Sequence, residues 1–198
     1  MSLGARRAVA HDRWTIIYCG LISEWSLPNA RVYDNVTFYG DLDCPFFTHT
    51  LEDIGHITVR AALDPRARNA CVHLTNPPNR VTQRQAWDLL KQCQPAWDGK
   101  VTHHDANKVC HLAVHATQDC APFGHPEIER WEINRACFVR GFADYSPDAG
   151  HFSAAASELY PDYAFATPEQ LLSDAAFVFG PEAAAAAAAA SKDDAAGD

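Results

Sequence analysis

Lysine is scarce in this 198-residue chain, with four residues of which Lys91 is the first, and the formal net charge is −9. Gripping nucleic-acid phosphates takes a basic stripe, so a nucleic-acid partner is excluded. Paired cysteines are missing too. The seven thiols, Cys19, Cys44, Cys71, Cys93, Cys110, Cys120 and Cys137, are odd in number and form no CxxC. That argues against a disulfide framework or a zinc ribbon and for reduced thiols. No apolar run approaches the roughly 20 residues of a bilayer span. The opening MSLGARRAVAHDRW carries arginines without the apolar stretch of a secretory signal. The expectation is a cytoplasmic protein with no membrane partner. The glycines, beginning with Gly4, Gly20, Gly40 and Gly55, form no GxGxxG or GxxGxxG, and no HExxH occurs.

Apolar residues make up 47% of the chain and charged residues 21%, enough for a globular core. Trp14–Tyr18, Val36–Tyr39 and Cys71–Leu74 are short runs rich in β-branched and aromatic residues, and they predict strands. Thr50, followed by Glu52 and Asp53, predicts a helix start, with Asp64-Pro65 as its stop. Thr82 and Gln85 have capping-box spacing, and Thr167-Pro168 opens a last helix. Further helices are predicted over 105–116 and 126–139. Strands separated by helices predict an α/β fold with few parallel strands. Residues 1–180 form the folded part, and the alanine-rich 181–198 is expected to be a frayed tail.

Four stretches in order resemble one family. The first is Arg6-Arg7-Ala8-Val9 with Trp14-Thr15-Ile16-Ile17. The second is Thr50-Leu51-Glu52-Asp53-Ile54-Gly55 with Asp64-Pro65-Arg66 and Asn69. The third is Thr75-Asn76-Pro77-Pro78-Asn79-Arg80-Val81-Thr82. The fourth is Phe138-Val139-Arg140-Gly141 with Ala156-Ser157-Glu158-Leu159-Tyr160-Pro161-Asp162. Together they resemble the isoflavone reductase and phenylcoumaran benzylic ether reductase group of NmrA-like, atypical short-chain dehydrogenases. The resemblance implies the C-terminal part of an NAD(P)-binding Rossmann fold with a mainly helical substrate-binding subdomain. It also implies NADPH as cofactor and a small aromatic or phenolic substrate.

The resemblance implies losses as well. The family's glycine-rich loop, its basic residue for the 2′-phosphate and its lysine acid/base are not matched here, so a truncated chain is expected. After the first strand the family places an Asn and a Phe against the nicotinamide, where this sequence has Gly20 and Ile22. Cys19, Gly20 and Ile22 are therefore the candidate cofactor contacts. Ile22 and Trp25 are the candidate substrate contacts, and no catalytic residue is assigned. Trp25 follows a strand end, where open α/β sheets bind ligands.

Other constellations have plainer readings. His111 and His115 are spaced i,i+4 on one helix face, with His103 and His104 nearby, but zinc takes three or four ligands, and no metal is assigned. Cys110 beside His111 reads as a packed thiol, because adjacent helix positions diverge. Glu52 and Asp53 suit a helix N-terminus better than acid/base work. Trp14, Trp87, Trp97 and Trp131 read as core residues, and Arg66 and Arg68 as a solvated face. Three functions remain open: a reductase of this family, a non-catalytic dinucleotide-sensing or protein-binding regulatory module, and a scaffold that forms homo-oligomers through an exposed sheet edge.

Overall fold

A computed structural model describes residues 13–29, 35–95, 97, 99–118, 126–145, 154–182 and 185. Arg6-Arg7-Ala8-Val9, Cys120 and nearly all of the alanine-rich tail lie outside the described residues. The strands are β1 (Thr15–Tyr18), β2 (Leu21–Ile22), β3 (Asn35–Tyr39), β4 (Pro45–His49), β5 (Ala70–His73), β6 (Arg80–Thr82), β7 (Lys100–His104) and β8 (Ala154–Ala155). The helices are α1 (Ser23–Ser26), α2 (Leu51–Leu63), α3 (Gln83–Cys93), α4 (Ala106–Gln118), α5 (Pro126–Phe138), α6 (Ala156–Leu159), α7 (Pro168–Ser173) and α8 (Ala175–Phe179).

The strands make three small sheets. β5 lies between β1 and β8, both parallel to it, with Thr15 opposite Ala70 and Tyr18 opposite His73. β4 pairs in parallel with β2 and antiparallel with β6. β3 and β7 form a parallel pair. The three predicted strands are present, but five others were not anticipated. Each has a local reason. β4 begins at Pro45, β7 (KVTHH) presents mostly polar side chains, and β2, β6 and β8 are two or three residues long.

The helix signals worked as capping chemistry predicts. Thr50, Thr82 and Thr167 each accept the backbone N–H three residues on, and the side chain at that third position accepts the cap residue's own N–H. α2 ends at Leu63 before Asp64-Pro65. The last predicted helix is divided at Asp174, whose side chain caps α8. Asp53 does more than cap α2. It is buried, and its second carboxylate oxygen accepts from the Tyr163 hydroxyl at 2.8 Å and from Ala166 N–H at 3.4 Å. The helix start thereby holds the segment that follows α6.

Two apolar cores result. In the first, Ile57 and Ala61 of α2 pack on Val72 and Leu74, with Ala156, Tyr160 and Phe165 closing the cluster. This covers one face of the parallel sheet. Trp14, Ile16 and Tyr18 point away from it and are 45%, 46% and 38% exposed. The second core joins Phe46, Val81, Ala86, Leu90, Phe138, Leu172 and Val178, so it gathers β4, β6, α3, α5, α7 and α8. None of the helices described is long and apolar enough to cross a membrane.

His49, at the end of β4, sits between the two cores with no exposed surface. Its Nδ1 lies 3.1 Å from the Cys19 carbonyl, which can only accept, so Nδ1 carries the proton. Burial pushes this imidazole down to about 4, against the opposing pull of that hydrogen bond and of Asp53. A group held neutral in the fold but protonated near 6.5 when unfolded contributes stability that is complete above that value. The contribution is lost as pH falls from 6.5 towards 4. Urea unfolding at pH 7.5 and at pH 5 should differ by about 2 kcal/mol more in the wild type than in His49→Gln. An equal pH response in both proteins would remove His49 from the account.

Candidate functional site

A cavity of about 530 Å³ lies between α1, the segment after it, β3 and α5. Its position follows from local structure. β1 ends, the chain turns at Cys19-Gly20, and β2 runs directly into α1, whose Trp25 is 67% exposed at the cavity wall. The opposite wall is α5, which packs on β3 through Trp131 and presents Arg130, Ile133 and Asn134. Ile133 is 55% exposed, so two large apolar side chains, Trp25 and Ile133, border the opening. Leu21, Ile22, Leu27, Val36 and Phe38 form much of the interior.

Polar side chains share this lining, among them Glu24, Ser26, Thr37, Gln83, Arg130 and Asn134, and several are fixed by their partners. Gln83 is buried and bonds the Tyr39 backbone twice, accepting from N–H at 3.0 Å and donating to C=O at 2.7 Å. Tyr39 packs against His104 and edge-on to Trp131, each at 5.8 Å between ring centroids. Arg130 Nη2 donates to the Tyr39 hydroxyl at 2.8 Å and lies over the Trp131 ring at 5.2 Å. Glu24 accepts the Leu51 N–H at 3.2 Å, linking α1 to the start of α2. An apolar slot with a few positioned polar groups suits a small, flat, largely apolar ligand.

Beside it, the carboxyl ends of β1, β4 and β5 are closed by side chains. The Tyr145 hydroxyl reaches both the Tyr18 and the Leu74 carbonyls, at 3.1 and 3.0 Å. Tyr145 stacks on Phe47 at 5.3 Å, and burial pushes its phenol well above the usual range. Ser23 and Ser26 meet the Thr48 hydroxyl at 3.0 and 2.7 Å. Asn79 donates to the Thr48 and Ala166 carbonyls, both at 2.8 Å.

The four residues singled out from the sequence separate here. Ile22 and Trp25 line the cavity. Cys19 and Gly20 lie at the turn before it and do not. Burial pushes the Cys19 thiol up, so it is not an activated nucleophile. Gly20 has φ +68°, and a Cβ built there would stand 2.5 Å from the Phe47 carbonyl oxygen. Its glycine thus answers to the neighbouring strand. Tyr39, Gln83, Arg130 and Ile133 carried no signal in the sequence, since only the packing of α3 and α5 against β3 brings them together.

Among the remaining candidates Trp14 departs from the core placement expected of it, being 45% exposed beside β1. His111 and His115 stack at 4.0 Å between centroids, but no group of three metal-capable side chains occurs among the described residues. His103 Nε2 lies 2.9 Å from the Gly40 carbonyl. Cys110 is half-buried. Trp87 packs against Phe38 and Trp97. Arg66 is bonded to Asp64 and to the Leu159 carbonyl. A dinucleotide's phosphates call for a glycine-rich turn of backbone N–H groups at a helix start. The strand ends described here carry Tyr145, Ser and Thr hydroxyls and Asn79 instead, so these residues do not fit that group.

No protein-family model matches the chain. Among curated proteins it is 27% identical to an isoflavone reductase from Medicago sativa over 140 residues, 71% of this chain and 41% of that protein. It is 26% identical to a phenylcoumaran benzylic ether reductase from Nicotiana tabacum over 176 residues, 84% and 54% of the two. The chain spans about half the length of the curated relatives it matches. Among solved structures, a crystal structure of isoflavone reductase superposes with a TM-score of 0.63 at 25% identity, over 81% of this chain and 52% of that one. The leucoanthocyanidin reductase–NADPH complex from Vitis vinifera gives 0.66 at 19% identity, over 81% and 51%.

The Gly20 geometry makes a prediction. Gly20→Asn, which supplies the side chain that the family resemblance implies at this position, should lower stability to urea by about 2–4 kcal/mol through its clash with Phe47. Unchanged stability would mean that the turn moves freely.

Proposed function

We propose, from the premise that this chain is isoflavone reductase-like in sequence and in fold, that it is a part of an NADPH-dependent reductase and that the cavity beside Trp25 receives the aromatic substrate. The observation that carries this reading is the slot between α1 and α5, bordered by the apolar Trp25 and Ile133 and lined by Leu21 and Ile22 of β2. Open α/β sheets bind their ligands at such strand ends. In these reductases the dinucleotide supplies the hydride, and the protein binds and orients the substrate. The described residues take the second task. Ile22, Leu27 and Phe38 offer apolar surface to a ring, and Trp25 offers a stacking face.

The proposal does not assign the dinucleotide to these residues. The sequence contains no glycine-rich phosphate loop and no lysine before Lys91. Chemistry at a substrate bound here therefore requires groups other than those described, and no proton or hydride step is assigned to them.

A titration tests the reading. A two-ring phenolic compound should change the intrinsic tryptophan fluorescence saturably, with a midpoint below about 1 mM, the upper end of ordinary substrate midpoints. Trp25→Ala should weaken that midpoint about tenfold, the loss of roughly 1.4 kcal/mol of aromatic contact. A non-saturating signal, or an unchanged midpoint in Trp25→Ala, would remove the cavity from consideration.

A second reading has its own observation. β1 is paired on one side only among the described residues, and Trp14, Ile16 and Tyr18 expose one apolar face. Such a strand recruits another. On this reading the chain self-associates through β1. Sedimentation should then show dimers that Ile16→Lys converts to monomers. A wild-type monomer at all concentrations would end it.

A further inference from the structure

Resting on the reading that this cavity holds an aromatic ligand, we propose that Tyr39, fixed by Arg130, is the hydrogen-bond donor that selects ligands with an acceptor oxygen at that wall. The direction of one hydrogen bond carries the argument. Arg130 Nη2 lies 2.8 Å from the Tyr39 hydroxyl oxygen. A guanidinium has only donors, so the phenol oxygen must accept here. Its own proton then has to point elsewhere. Among the described residues no acceptor takes it, and Tyr39 and Arg130 both line the cavity.

The group is also held in place. The Tyr39 main chain is bonded at both N–H and C=O by the buried Gln83 side chain. Its ring is flanked by His104 and Trp131. Arg130 sits over the Trp131 ring on one side and reaches the hydroxyl on the other. The donor is therefore oriented before any ligand arrives, and a charged partner behind the phenol strengthens its donation. The neighbouring walls, Ile22, Leu27, Val36 and Phe38, are apolar. A ligand that covers this donor takes it from water, so one that offers no acceptor in return is disfavoured. The preferred ligand is thus an aromatic bearing a carbonyl oxygen, a stronger acceptor than an aryl ether, rather than one that offers an ether oxygen alone.

Two probes of one shape make the test: flavanone, which carries a ring carbonyl, and flavan, which lacks it. Wild-type protein, followed by tryptophan fluorescence, should bind flavanone about tenfold more tightly, the size of one charge-assisted hydrogen bond. Tyr39→Phe should abolish that preference while leaving flavan within about twofold of its wild-type midpoint. Arg130→Met should reduce the preference by releasing the hydroxyl. Equal binding of both probes by the wild type overturns the proposal even if neither variant folds. So does a Tyr39→Phe protein that keeps the preference or weakens both probes alike. In those cases the cavity reading survives. If neither probe binds the wild type, the cavity reading falls and this proposal with it.

Discussion

The structure depends on satisfying backbone polar groups at a seam that excludes water. Two cores meet where β1, β4 and β5 end, and strand ends are where carbonyls and amides run out of sheet partners. Ser23, Thr48, His49 and Asn79 are buried there without exposed surface. Each reaches across. His49 takes the Cys19 carbonyl, Asn79 takes those of Thr48 and Ala166, and the two serines of α1 take the Thr48 hydroxyl. Tyr145 closes the far side on Tyr18 and Leu74. An apolar residue at His49 would leave the Cys19 carbonyl without this partner, and one at Thr48 would take the shared hydroxyl from both serines, losses of the kind that cost more than the packing they add. The seam sets the angle between α1 and the parallel sheet, and so the position of Trp25.

The same seam explains why a phosphate group and an aromatic ring would not find the same place among these residues. Both would use the strand ends of an open α/β sheet. Here that space is occupied by hydroxyls and an amide engaged with the protein's own backbone. A cavity lies further out, between α1 and α5, where Leu21, Leu27 and Phe138 serve both its wall and the second core. A phosphate group needs unpaired N–H donors, and a ring needs apolar surface. The described residues leave surface and spend their donors.

What could be read in the sequence follows from how local each signal is. Capping is local, so Thr50, Thr82 and Thr167 announced three helix starts, and Asp64-Pro65 announced a stop. Strand β1 was legible because TIIY has no other good use. β4 was not, since Pro45 opens it and its buried Phe46 and Phe47 answer to two different neighbours, α5 and Tyr145. β7 exists because β3 lends it a partner, and nothing in KVTHH requires it. The site divides in the same way. Ile22 and Trp25 follow a strand end in the chain, so a rule about strand ends reaches them. Tyr39 and Arg130 stand 91 positions apart and meet only when α5 packs on β3.

The exposed face of β1 completes the argument about what this arrangement demands. A parallel strand is ordinarily covered on both faces. In β1, Ile17 packs inward on the α2 core, while Ile16 and Tyr18 alternate outward into solvent beside Trp14. Alternation of that kind suits a sheet with one wet face, but the outward residues are as apolar as the inward one. Their composition is that of a doubly covered strand, and their exposure is that of a singly covered one. The mismatch belongs to the sequence itself, so it persists whatever ligand the cavity takes. The outward face of β1 and the cavity wall at α1 are separate in place and joined through the turn at Cys19-Gly20, whose conformation the Phe47 carbonyl dictates.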